Sequence, residues 1–307
     1  MKTIIKTVFL FVLISFSAKK MLAQPDAVGS ARMAAYVDTL NALGDSLIQS
    51  NDVNIRIACG YAMIKRLVNA LKTEGSFHYP FDSLRHISLV EPSDHSFRIF
   101  TWHIEMNGSI YRQVGAIQIP VKSGLKLIPL IDGSQYIENP MDTTLSPDLW
   151  YGSVYYNVIR KKYKGVNHYY LFGFDANDAF SNKKVIDVLT FSRGTNDQVI
   201  FGAPVFITDS INNIRSDRFI IEYSKDASAG LNYYDEYGKI IFDHLIPQNP
   251  LSDNVKSSYI PDGTYEGFRY SKGSWFWIEK VFHQAINEND NPPMPKPIDF
   301  DKEYPDK

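Results

Sequence analysis

FRIFTWHIEMNGSIYRQVGAIQIPV, residues 97–121, is the stretch on which the fold depends. Apolar residues recur at every second position, the period of a strand. Phe100, Trp102, Ile104 and Met106 share one face, and Thr101, His103 and Glu105 share the other. Asn107-Gly108 follows at once and predicts a two-residue type I′ hairpin turn. That turn sets a register in which Met106 opposes Ser109, Glu105 opposes Ile110 and His103 opposes Arg112. The return strand over 110–121 then carries Tyr111, Gln113, Ile117 and Ile119 on one face.

Downstream the same period persists. Further strands are expected over 126–132, 151–160, 168–175, 184–192, 199–207, 218–223, 231–234, 239–246, 264–270 and 275–282. Lys164-Gly165, Tyr237-Gly238 and Lys272-Gly273 mark turns, and no helix-length pattern separates the strands. Antiparallel connections follow, without βαβ crossovers. About twelve strands suffice for two packed sheets, a curved sheet or a barrel-like closure, but not for a full propeller. YYDEYGKIIFDH and FRYSKGSWFWIEKVF echo each other as strand, turn and strand, which is ordinary hairpin chemistry.

Upstream the period is 3.6. Over 26–50, Met33, Tyr36, Val37, Leu40, Leu43, Leu47 and Ile48 form one stripe. Asp52 offers an N-cap for a second helix carrying Ile55, Cys59, Met63, Leu67 and Leu71, with Gly75 as its stop. The expected class is therefore α+β: a helical hairpin over 24–75, then an antiparallel β-meander domain over 76–286.

The two ends differ in kind. Lys2 and Lys6 precede an apolar run over 7–18, too short for a transmembrane helix but of secretory h-region length. Residues 1–23 are expected to be a signal peptide cut after Ala23, or after Ala18; no cysteine follows for lipid anchoring. An exported protein, periplasmic or extracellular, is expected, with no transmembrane anchor left after cleavage. Removing the four lysines of 1–23 leaves 28 basic against 34 acidic residues, a formal charge of −6. An acidic surface argues against nucleic acid as a partner. The only cysteine, Cys59, lies in an apolar helical stretch and is expected to be inert. The tail over 287–307 combines prolines with charges and is expected to be disordered.

No G-x-S-x-G, H-E-x-x-H, Walker or paired C-x-x-C motif is present. Three constellations remain. Asp175, Asn177 and Asp178 cluster oxygen ligands of the kind calcium takes, although a polar turn explains them equally and is preferred; no other cofactor is suggested. Trp150, Tyr151, Tyr155 and Tyr169, with Tyr156 and Tyr163 nearby, are a candidate surface for a glycan or protein partner if exposed, or core if not. His103, Glu105 and Arg112 are candidates for proton transfer, or else a solvated sheet face. Asp243 and His244 are neighbours in a strand, point to opposite faces and form no dyad by themselves.

HYPFDSLRHISLVEPSDHSFRIFTW, WYGSVYYNVI, YLFGFDAND, RFIIEYSKDASAGLNYYDEYGKIIFDHLIP and YIPDGTYEGFRYSKGSWFWIEKVF resemble a family of uncharacterised secreted proteins from Bacteroidetes. The resemblance spans about 60–283 and implies export and one continuous β-rich unit. It carries no activity and no site residues. Taken together, these readings lead to an exported, non-catalytic binding or interaction protein. The alternative is a secreted hydrolase acting on an envelope or extracellular polymer.

Overall fold

The computed structural model describes residues 25–121, 124–192 and 198–282, so the expected leader 1–23 and tail 287–307 lie outside the described residues. Helix α1 (Ala27–Gln49) begins where the Asp26 carboxylate accepts from Gly29 N at 2.7 Å. Helix α2 (Val53–Leu71) begins at Asp52, which accepts from Asn54 N at 2.8 Å as the sequence suggests. Met33, Val37, Leu40 and Leu47 of α1 are buried together with Met63, Leu67 and Leu71 of α2, while Ile48 and Ile55 of the same stripes stay exposed. The helix stops four residues before Gly75. That glycine, at φ +76°, instead leads into a 3-10 turn at Ser76–His78, where the buried Arg98 donates to the Phe77 carbonyl at 2.6 Å.

Among the described residues fifteen strands follow: β1 (Ser88–Val90), β2 (Arg98–Glu105), β3 (Tyr111–Ile119), β4 (Lys126–Ile131), β5 (Val154–Tyr163), β6 (Val166–Asp175), β7 (Ser181–Phe191) and β8 (Val199–Phe201). Then come β9 (Phe206–Asp209), β10 (Ile214–Ser216), β11 (Phe219–Ser224), β12 (Leu231–Tyr234), β13 (Lys239–Pro247), β14 (Tyr259–Ser271) and β15 (Ser274–Ile278). They form three sheets, ordered β1-β2-β3-β4, β11-β7-β6-β5 with β8 beside β7, and β10-β9-β15-β14-β13-β12. None closes into a barrel, and the class is α+β. Every pair is antiparallel except β9–β15, where Phe206 and Ile207 run beside Trp275 and Phe276.

Three apolar cores stack the layers. Phe100, Trp102 and Ile104 of the first sheet meet the helices. Phe97, Ile99 and Ile117 on its other face meet Tyr155, Leu171 and Val185 of the second sheet. Tyr170, Phe172 and Ile186 then meet Ile240, Phe268 and Trp275 of the third. The first sheet is thus covered on both sides, and the face of β2 expected to be solvated is not: Thr101 is fully buried and accepts from Tyr155 N at 3.0 Å. Among the described residues no helix is long and apolar enough to cross a membrane.

Two local expectations are corrected. The stretch 199–207 is two strands in different sheets, because Gly202 at φ +96° turns the chain between them. The Asn107-Gly108 hairpin is not type I′, which needs positive φ at both central residues. Gly108 has φ +73°, Asn107 does not, and the Asn107 side chain accepts from Ile110 N at 3.1 Å. The loop is one residue longer, Met106 N reaching Ile110 O, and the register becomes His103 opposite Gln113 and Ile104 opposite Arg112. The echoing segments fall on the β12–β13 and β14–β15 hairpins of one sheet.

Candidate cleft between the second and third sheets

β11 is the outermost strand of its sheet. Its Phe219 and Ile221 face the third sheet, whereas Ile220 packs into the core shared with the first. Opposite it stands β13, which pairs with β12 only as far as Phe242. Asp243 N still donates to Gly230 O at 3.2 Å; beyond it that side of β13 receives no partner strand among the described residues, and the two sheets part there to leave a cleft of about 580 Å³. Phe219, Ile221, Phe242 and Trp277 supply its apolar lining.

The polar lining comes from a break in the β13–β14 ladder. Asp243 pairs with Tyr265 and Leu245 with Pro261, so the single residue His244 faces the three residues 262–264. Gly263 takes φ +87° at this bulge, a conformation that a side chain disfavours. The bulge aims Asp262 back at His244. One carboxylate oxygen accepts from Thr264 N and Thr264 Oγ1, both at 2.8 Å, and the other accepts from His244 Nδ1 at 2.9 Å. Burial acts to raise the Asp262 carboxyl, but these donors outweigh it and hold it at about 2. The neighbouring Glu266 sits opposite Phe242, on the face that otherwise carries Ile240, Phe268 and Trp277. Burial pushes its carboxyl up; His244 acts the other way, and Glu279 and Asp262 reinforce the rise.

A strap over 138–143 makes the far rim. The fully buried Arg218 ties it down: Nη1 donates to the carbonyls of Pro140 and of Thr143 (3.0 Å to the latter), and Nε donates to Asp187 at 3.2 Å. Asp187 is itself buried and accepts from Tyr155 OH at 3.4 Å. The strap carries Glu138 and Asp142 to the cleft. In all, five carboxylates (Glu138, Asp142, Glu222, Asp243 and Glu266) line it against Lys183 and Lys256. Lys183 is engaged by Asn177 Oδ1 at 2.8 Å, and Lys256 lies over the Tyr259 ring at 4.0 Å. The cleft is therefore apolar at its base and acidic at its rim.

The aromatic candidates do not form an exposed surface. Trp150, Tyr155 and Tyr169 are 0–2% exposed and Tyr151 is 4% exposed, so the run is core, not a binding face. Their polar ends are satisfied inside: Trp150 Nε1 donates to Tyr155 OH at 2.8 Å, and Tyr169 OH donates to Asp94 at 3.0 Å. The cause is the layer arrangement, which covers both faces of β6. Tyr151 alone of the four reaches the cleft.

His103, Glu105 and Arg112 are not brought together. The one-residue change in register puts Arg112 on the Ile104 face and His103 beside Gln113. The His103 ring meets Tyr111 edge-on at 5.6 Å, and its Nδ1 is buried without a partner. Burial lowers the imidazole below its ordinary value, Lys225 adds to this, and Glu105 opposes it.

Asp175, Asn177 and Asp178 form a turn whose side chains serve its own backbone. Asp175 accepts from Asn177 N at 2.9 Å; Asp178 accepts from Phe180 N at 2.7 Å and Ser181 N at 2.9 Å. Burial pushes the Asp175 carboxyl up, against the Asn177 amide and Lys183. Among the described residues no group of three or more His, Cys, Asp or Glu side chains is placed to hold a metal ion.

His244, Asp262 and Glu266 were not singled out as a group by the sequence. The signal was Asp262-Gly263, a turn pair lying inside what is one strand, which is the mark of a bulge. Comparison of the chain with family models, with curated proteins and with solved structures finds no match, so the reading of this cleft rests on its own chemistry.

Proposed function

We propose that this is an exported, non-catalytic binding protein, periplasmic or extracellular, whose ligand lies in the cleft between β11 and β13. The observation that carries this reading is the cleft itself, an apolar base of Phe219, Phe242 and Trp277 rimmed by carboxylates in a volume of about 580 Å³. That volume is the size of an ordinary ligand site, and apolar lining with a few oriented polar groups is its usual make-up. The rim favours a ligand that is apolar in part and carries positive charge. The test uses Trp277, which is half-buried at the cleft, while Trp102, Trp150 and Trp275 are buried. Residues 24–307 are titrated with soluble oligosaccharides, short peptides and calcium, following tryptophan emission and thermal midpoint. A ligand at a hundredfold excess over its Kd stabilises the folded state by about 2.7 kcal/mol. A midpoint rise that vanishes in Phe242→Asp supports the cleft; no shift with any probe overturns it.

One observation favours hydrolysis of an envelope or extracellular polymer as a second reading. His244 is oriented by Asp262 beside a carboxyl whose affinity for its proton is raised, the environment of an acid–base pair. Among the described residues no serine, threonine or cysteine lines the cleft, so the nucleophile would be water or one of the lining carboxylates. The same titrations, assayed after a day for released reducing ends or amines, decide this reading: product lost in His244→Ala supports it, and no product overturns it.

A further inference from the structure

We infer that the outer edge of β11 is a docking strand for an extended polypeptide whose side chains alternate between apolar and basic; this rests on the reading of the cleft as a binding site. Four consecutive residues, Phe219, Ile220, Ile221 and Glu222, all line the cleft. Successive side chains of a strand point to opposite faces, so a cavity touching all four wraps around the strand's edge. The opposite wall is built the same way, by Phe242, Asp243, His244 and Leu245 of β13. An edge of this kind presents a row of unpaired N–H and C=O groups, and such rows accept a further strand.

The edge is open over a defined length. At one end Asp217 N donates to Met141 O at 2.6 Å, and at the other Lys225 N donates to Phe180 O at 2.9 Å. Between them, among the described residues, the backbone of β11 makes its ladder with β7 and one further bond, from Ala227 N to Ser224 O at 3.1 Å. The turn Lys256–Ser258 packs against both β11 and β7, and its Lys256 lines the cleft beside the edge. Five residues, 219–223, are thus available, the length of a common strand.

A peptide paired with this edge would present alternate side chains to two unlike environments. Those turned toward the third sheet meet Phe219, Ile221, Phe242 and Trp277. Those turned the other way meet Glu222, which already pairs with Lys183 at 3.7 Å, and the strap that bears Glu138 and Asp142. Apolar residues suit the first side and basic residues the second. Backbone hydrogen bonds would supply affinity and the two sides would supply selectivity.

The probes are a capped eight-residue peptide of alternating lysine and valine, the same composition in blocks, an alternating glutamate–valine peptide, and the first peptide with alternate amides N-methylated in either register. Binding is read by Trp277 emission and by hydrogen exchange at the β11 amides. The alternating lysine peptide is expected to bind, to slow exchange in β11, and to lose about tenfold in affinity in Glu138→Lys/Asp142→Lys. One register of N-methylation is expected to abolish binding, because it removes the donors and adds bulk at the edge. Equal affinity for both methylated peptides, or no slowing of exchange in β11, overturns strand docking even if the peptide binds. If an oligosaccharide shifts Trp277 emission and no peptide does, the cleft stands and the inference falls. If nothing binds, both fall.

Discussion

The helix-covered side of the first sheet and the seam between β11 and β13 are made of similar residues and end differently. On the first, Phe100, Trp102 and Ile104 are sealed beneath α1 and α2, beside a cavity of about 120 Å³. Gly60 allows that closure: a Cβ at this position would overlap the Ile104 side chain. At the seam, Phe219, Phe242 and Trp277 continue an apolar face of the same kind, yet it opens into about 580 Å³. Two features separate the regions. A carboxyl, Glu266, occupies a core-facing position, and the partner strand β12 stops at the pairing with Phe242. A continuous apolar pattern with a small residue at the contact closes one interface; a half-buried acid and the end of a neighbouring strand accompany the open one.

The comparison is broken most severely at Arg218. Arg218→Ala leaves the fully buried Asp187 without its cation, with Tyr155 OH and Val188 N still donating to it, and frees the carbonyls of Pro140 and Thr143. Removing one partner of such a pair costs about 3–5 kcal/mol. The expected result is a lower urea midpoint together with loss of cleft binding, since the rim is no longer held. On the sealed side, Leu67→Ala should cost about 3 kcal/mol through the cavity it leaves. Any cleft ligand should bind the folded variant with unchanged Kd, because the substitution lies two layers away; a changed Kd would show that the two regions are coupled.

The smallest effect sharpens the comparison through pH. Burial lowers the His103 imidazole, so the unfolded chain takes up that proton first as pH falls. The contribution to stability is fully present above the unfolded value of about 6.5 and is lost as pH falls toward and through the folded one. Between pH 7.5 and 5 the thermal midpoint of wild type should therefore drop further than that of His103→Gln. His168, lowered by burial too, contributes equally to both proteins, and the difference isolates His103. Parallel curves would mean that His103 stays neutral in both states.

Much of this was legible locally. The stripes of α1 and α2, the cap at Asp52, the antiparallel strands and the packing of Cys59 among helix residues all follow from periodicity. Periodicity says which residues share a face, because backbone geometry sets the 3.6 and 2.0 repeats. It does not say what covers the face. Whether Trp150, Tyr155 and Tyr169 are surface or core depended on the first sheet lying against the second. Whether Arg112 meets His103 depended on one residue of loop length, since a one-residue slip moves every side chain to the other face. The cleft was further out of reach. It joins β11 to β13 and β14 across long stretches of chain, and its His244–Asp262 pair exists only because a bulge bends one strand toward another. Local sequence determined the elements and their apolar faces through backbone periodicity and capping. The layering of the sheets, the open edge and the acid-rimmed cleft were decided only by tertiary packing, which is where residues distant in sequence first meet.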